Sequence, residues 1–159
     1  MATLKEAFKT VYDASNEAGV ENKYNCSGFA RDAVEAAGFQ LEGGDADAQI
    51  DFMQANWDCI GIGKHVEAAD KAKAGFLVVA GVKKDEYEPK RAHGHVVVLI
   101  PTEPANRYHG KFARAWGGDI GKTYMSEGTL SVGEIFAVQV RSKIRYYTPP
   151  VYGAQIDYE

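Results

Sequence analysis

The pattern of apolar residues along the chain changes near residue 76, and this change constrains the fold more than any other feature. Before it, apolar residues recur at helical spacing, as in residues 3–17. After it, short runs rich in β-branched residues appear at 76–80 and 96–100, which is typical of strands buried on both faces. Helices first and strands second indicate an α+β fold, with N-terminal helices packed on a small antiparallel sheet.

Cap and stop residues divide the rest of the chain into elements. Asp45 is a candidate N-cap and Gly38 a stop signal. Further helices are expected at 25–37, 45–56 and 64–74, and further strands at 112–116 and 135–140. With 159 residues, 45% of them hydrophobic, the chain suits one domain with its own core rather than two. We therefore expect a single domain over residues 1–159, and a monomer by default.

A cysteine and a histidine occupy positions suited to nucleophilic catalysis. The motif NCSGF opens the helix at 25–37, so Cys26 lies in its first turn with Asn25 as the candidate N-cap. Unpaired N–H groups and the helix dipole favour a thiolate there. His95 follows about seventy residues later and enters the strand at 96–100. Together they can form a thiolate–imidazolium pair, which is a nucleophile for acyl transfer.

His93 and His95 are two residues apart, so both would face one side of an extended strand. This spacing could also ligate a metal, with a cysteine as a third ligand. The remaining histidines and carboxylates show no recognisable ligand spacing, so we expect neither a metal nor a cofactor. His95 is the better candidate for catalysis because it adjoins the buried run, whereas His93 would lie at the rim of the cleft.

The second cysteine, Cys59, has no histidine-bearing strand of its own, and we interpret it as a small half-buried core residue. A disulfide between Cys26 and Cys59 would consume the thiol that catalysis needs. We therefore expect no disulfide.

Charge and hydropathy exclude several classes of partner. The net charge of −4 and the scattered basic residues argue against nucleic-acid binding. The N-terminal segment is charged and lacks an apolar h-region, and no later run is long enough to span a bilayer. We expect neither a cleaved signal peptide nor a membrane span.

The charged segment 82–92 joins two strands and leads directly to the histidines. It is interpreted as a mobile, solvated loop. Because it ends at the histidine strand, a lid or rim over the cleft is the functional alternative.

The motif NCSGF at a helix start, followed by GHVVVLI on a strand, resembles the NlpC-type cysteine peptidases, which have a papain-like core. More of the chain resembles one branch, the first group of type VI secretion amidase effectors. The blocks that carry this resemblance are ENKYNCSGFARDAVEAAG, GGDADAQIDFMQANW, AADKAKAGFLVVAGVK and GHVVVLI, which span roughly residues 20–140.

The resemblance implies a toxin that the type VI secretion apparatus delivers into the periplasm of a rival Gram-negative cell. There it would cleave the peptidoglycan stem peptide between γ-linked D-glutamate and meso-diaminopimelate. Injection requires no signal peptide. A cognate periplasmic immunity protein that occludes the Cys26 cleft is also implied.

Carried over by motif, Cys26 matches the nucleophile and His95 the general base. Backbone N–H groups at the helix start, near Asn25 and Ser27, would stabilise the oxyanion. The chain departs from the wider superfamily at Asn25, where an aspartate is common. Its amide carries no charge to recognise a substrate amine.

The group that orients the imidazole is ambiguous. Asp119 is the only acidic side chain on the strand or turn where the resemblance places that group, but the position most like the orienting site is Gly117, which offers only its backbone carbonyl. Tyr24 and Trp116 are candidate walls of the substrate cleft, with burial in the core as the alternative.

Two other functions stay open. A thiol acyltransferase of related fold typically places histidine before cysteine, and the reverse order here favours a hydrolase. A catalytically inactive peptidoglycan-binding module would bind wall fragments without cutting them.

Overall fold

The computed structural model describes residues 3–15, 26–101, 105–107, 110–118, 125–150 and 158. Its α-helices are α1 (Leu4–Ser15), α2 (Cys26–Ala36), α3 (Ala46–Asn56), α4 (His65–Lys73) and α5 (Val132–Ile135). Its strands are β1 (Asp58–Ile62), β2 (Val79–Val82), β3 (His95–Leu99), β4 (Ala105–Arg107), β5 (Gly110–Phe112), β6 (Arg114–Gly118), β7 (Met125–Ser131) and β8 (Arg145–Thr148). Short 3₁₀ helices cover Lys84–Glu86 and Val138–Lys143.

Six strands form one antiparallel sheet in the order β1-β8-β2-β3-β6-β7, and β4 pairs with β5 in a separate ribbon. The strand β3 lies inside the sheet, between β2 and β6. The predicted α+β architecture, with N-terminal helices and an antiparallel sheet, is confirmed.

The sheet separates two apolar clusters, which explains the continuous apolar run of β3. Val96 and Val98 belong to the cluster that contains residues of α1, α2 and α3. Val97 and Leu99 belong to the cluster that contains residues of α4 and α5. Since successive side chains point to opposite faces, both faces of β3 need apolar residues.

The four predicted helices are confirmed, and each observed end lies within two residues of the predicted one. Asp45 caps α3 as expected, because its Oδ1 accepts a hydrogen bond from the Ala48 N–H at 2.8 Å. In the part of the chain that the structure covers, no helix is long and apolar enough to cross a membrane.

The strand predicted at 135–140 is wrong. This region is helical, with α5 ending at Ile135 and a 3₁₀ helix beginning at Val138. Phe136 and Val140 are both buried, and they belong to the cluster that contains residues of α4 and α5. The pattern also missed β1, β4, β7 and β8, and β2 begins three residues later than the predicted run at 76–80.

The half-buried core position expected for Cys59 is also wrong. Cys59 lies on β1, at the edge of the sheet, and it is exposed. Asp58, Cys59 and Ile62 of this strand are exposed, whereas Ile60 and Gly61 are partly buried. Both cysteines are free thiols in the structure, and Cys26 is buried.

Candidate active site

The thiol of Cys26 lies at the junction of α2 and β3. Cys26 is the first residue of α2 and is 8% exposed. Its Sγ is 3.9 Å from the carbonyl oxygen of Gly94, the residue just before β3. The helix therefore presents its N-terminal end, where backbone N–H groups lack intrahelical partners, to the start of the histidine strand.

Gly94 is a point of close approach between three elements. A Cβ atom there would lie 2.7 Å from the carbonyl oxygen of Val82 in β2 and closer still to Oδ1 of Asp47 in the first turn of α3. That same Oδ1 accepts a hydrogen bond from the Lys84 N–H at 3.0 Å. The absence of a side chain at Gly94 lets β2, β3 and α3 meet beside the thiol.

His95 is the first residue of β3 and is half-buried. Its ring packs edge-on against Phe136, with centroids 5.1 Å apart. Gly94 and His95 are joined by a peptide bond. The Cys26 thiol therefore lies beside the carbonyl group that directly precedes His95.

His93 is exposed in a bend before the strand, as expected for a residue at the rim. The expectation that both histidines share one face of a strand is wrong, because β3 begins only at His95. Among the residues that the structure describes, no group of three or more His, Cys, Asp or Glu side chains could hold a metal ion.

Gly117 on β6 brings that strand close to the helix that carries the thiol. It pairs with Val97 across β3 and β6, and its φ is +114°. A Cβ atom at Gly117 would lie 3.3 Å from Cδ1 of Phe29, about one helical turn beyond Cys26. Both its backbone conformation and the lack of space favour glycine.

Trp116 lies in the core. It is 2% exposed, its rings meet those of Phe8 and Tyr12 edge-on, and its Nε1 donates a hydrogen bond to the Tyr158 hydroxyl at 2.5 Å. This packing supports the core interpretation over a cleft wall.

Ser27 is 4% exposed, and its backbone carbonyl accepts a hydrogen bond from Nε2 of Gln49 at 2.8 Å. Gln49, on α3, is fully buried. Sequence reasoning missed it. The available signal was a polar residue next to Ile50 and at helical spacing from Met53, on the apolar side of α3.

The charged segment 82–92 is packed against the body of the protein. Tyr87 is 1% exposed, and the guanidinium of Arg91 lies 4.0 Å from the centroid of its ring. Glu86 pairs with Arg145 at 3.3 Å, and this bond raises the pKa of the Arg145 guanidinium. Lys83 pairs with Asp51 at 2.5 Å. These contacts attach the segment to the body of the protein, and its role as a lid or rim over the cleft stays a prediction.

Three candidate residues, Tyr24, Asn25 and Asp119, lie outside the described residues. Their predicted roles stay predictions.

Comparison with known proteins gives an extended similarity. No protein-family profile matches the chain. The chain is 37% identical over 145 residues to the peptidoglycan amidase Tse1 of Pseudomonas aeruginosa. The aligned region covers 91% of this chain and 87% of that protein, so the similarity extends over nearly all of both.

Proposed function

The chain belongs to the type VI secretion peptidoglycan amidase effectors, and from this premise we propose that it is a cysteine amidase that cleaves the stem peptide of peptidoglycan. The observation that carries the proposal is the position of Cys26. Its thiol lies at the first residue of a helix, 3.9 Å from the carbonyl oxygen that precedes His95.

In the proposed reaction, His95 takes the thiol proton and the Cys26 sulfur attacks the carbonyl carbon of the substrate amide. Backbone N–H groups at the start of α2, including those beside Asn25 and Ser27, stabilise the oxyanion. The tetrahedral intermediate collapses to a thioester as His95 protonates the leaving amine. Water, deprotonated by His95, then hydrolyses the thioester and regenerates the thiol.

The backbone carbonyl of Gly117 and the carboxylate of Asp119 are the two candidates for the group that orients the His95 imidazole. Replacement of Asp119 by Asn discriminates between them. A large loss of kcat favours Asp119, whereas retained kcat favours the carbonyl, which no side-chain change removes.

The proposed bond is that between γ-linked D-glutamate and meso-diaminopimelate, and the proposed site of action is the periplasm of a Gram-negative target cell. Delivery by the type VI secretion apparatus and inhibition by an immunity protein that covers the Cys26 cleft complete the proposal. The exposed His93 and the packed segment 82–92 would form the rim that substrate and inhibitor meet first.

Digestion of purified Gram-negative sacculi tests this function. The wild-type protein, Cys26→Ala and the matched control Cys59→Ala are incubated with sacculi, and released muropeptides are analysed by chromatography and mass spectrometry. We expect stem fragments that end at D-glutamate from the wild type and from Cys59→Ala, and none from Cys26→Ala. Intact sacculi in all three samples would contradict the proposal and favour a binding module.

A further inference from the structure

Gln49 joins the interior of α3 to the first turn of the nucleophile helix. Its side chain is fully buried, and its Nε2 donates a hydrogen bond to the Ser27 carbonyl oxygen at 2.8 Å. Its other polar atom, Oε1, has no hydrogen-bond partner in the part of the chain that the structure describes. Among the described residues, therefore, Nε2 of this buried amide has a hydrogen-bond partner and Oε1 has none.

A buried acceptor without a partner destabilises the fold, because it has lost its hydrogen bonds to water. Ile50 and Met53 on the same helix are fully buried in the apolar core. An apolar side chain of similar size would avoid this penalty. The stability of the core therefore does not account for a glutamine here, whereas the hydrogen bond to Ser27 has a direct link to the thiol.

That hydrogen bond acts on the peptide group nearest the nucleophile. The Ser27 carbonyl and the Gly28 N–H belong to one peptide, and donation to the carbonyl oxygen polarises the N–H. In the first turn of a helix such N–H groups point toward the N-terminal end, where Cys26 lies. The helix that carries Gln49 is stabilised at its start, because Asp45 caps the first turn of α3.

We propose that Gln49 is a positioning residue for Cys26, which holds and polarises the first turn of α2 so that its backbone N–H groups stabilise the thiolate and the oxyanion. This inference rests on the proposed function. Gln49 contacts neither the reacting atoms nor the substrate, and it acts through the backbone of Ser27.

The test measures thiol reactivity and peptidoglycan cleavage separately. All proteins carry Cys59→Ser, so that iodoacetamide reports on Cys26 alone. The rate constant of alkylation is measured against pH for this parent, for Gln49→Leu and for Gln49→Met. The matched control is Gln54→Leu, which removes an amide from the same helix together with the hydrogen bond that its Oε1 accepts from the Tyr147 hydroxyl. Thermal unfolding and the kcat and KM for a soluble muropeptide are measured on the same samples.

We expect both Gln49 variants to unfold at or above the parent temperature, because the unsatisfied acceptor is gone. The pH midpoint of alkylation should move upward, and kcat should fall on the order of tenfold with little change in KM. Gln54→Leu should keep the parent alkylation profile. Gln49→Met, with its flexible side chain, decides the result if Gln49→Leu does not fold.

An alkylation profile that matches the parent in the Gln49 variants would overturn the inference, whatever their stability. A lower unfolding temperature with that unchanged profile would assign Gln49 a structural role only. Alkylation needs no peptidoglycan, so a shifted profile in a protein that leaves wall fragments intact would support Gln49 while contradicting the amidase. Normal cleavage together with an unshifted profile would contradict Gln49 alone.

Discussion

Replacement of Gly94 by alanine tests whether the close packing of β2, β3 and α3 around Gly94 controls both stability and activity. The new methyl group would lie 2.7 Å from the Val82 carbonyl oxygen, whereas ordinary contacts begin near 3.4 Å. It would also overlap the Asp47 carboxylate, which cannot simply rotate away because it accepts a hydrogen bond from the Lys84 N–H. The backbone around Gly94 must therefore move by about 0.7 Å.

The size of this displacement sets the expected effects. Overpacking of a buried site typically costs about 1–3 kcal/mol, and for a domain of this length each kcal/mol lowers Tm by roughly 2–4 °C. We therefore expect Gly94→Ala to unfold about 4–8 °C below the wild type, for a central cost of about 2 kcal/mol. A misplacement of about 1 Å near reacting groups can cost on the order of a hundredfold, so kcat/KM should fall by about ten- to a hundredfold.

Gly44→Ala is the matched control, because a Cβ atom at Gly44 has no neighbour within 4 Å. Thermal melts and the rate of muropeptide release from sacculi are compared for the wild type and both variants. A Gly94→Ala protein with the Tm and activity of Gly44→Ala would refute the packing argument. A lower Tm with full activity would show that the packing argument is correct but that the close packing around Gly94 does not position the reactive groups.

Two further predictions concern β6 and α4. Gly117→Ala should destabilise the fold by about 1–3 kcal/mol, because a φ of +114° strains any residue with a Cβ and because Phe29 lies 3.3 Å away. A double-mutant cycle with Phe29→Leu should recover part of the loss, and strict additivity would contradict the contact. Burial lowers the pKa of His65, and Nδ1 of this residue lies 2.6 Å from the Tyr146 hydroxyl. As pH falls below the usual histidine pKa of 6.5, the unfolded state therefore binds a proton before the folded state does. The free energy of unfolding should therefore decrease as pH falls from that value to the lower folded-state pKa. In urea melts, His65→Gln should lack this dependence of the free energy of unfolding on pH. An equal dependence in both proteins would argue against His65 as its source.

The elements that the sequence predicted correctly are those whose signal is local. Asp45 followed by an apolar periodic segment identifies α3, and the β-branched run after His95 identifies β3. The run 135–140 failed because a short apolar segment does not distinguish a strand from helical turns. The strand β7 was missed because it lies at the edge of the sheet and contains few apolar residues.

The same limit applies to the site. The motif around Cys26 and the position of His95 at a strand start are readable along the chain. The roles of Gln49 and Gly94 cannot be predicted from the sequence in this way, because they depend on which elements meet in three dimensions. The contact between Gln49 and Ser27 crosses 22 residues of sequence, and no local pattern specifies it.

The position of the thiol beside Gly94 also bears on how the protein acquires activity as it folds. This contact joins residues 68 apart in the sequence, and Gly94 directly precedes β3, which lies between β2 and β6 in the sheet. Closure of such a long loop is an entropic cost that the early helices cannot offset by themselves. Under the proposed function, a chain emerging from the ribosome therefore carries Cys26 long before the site around its thiol has formed.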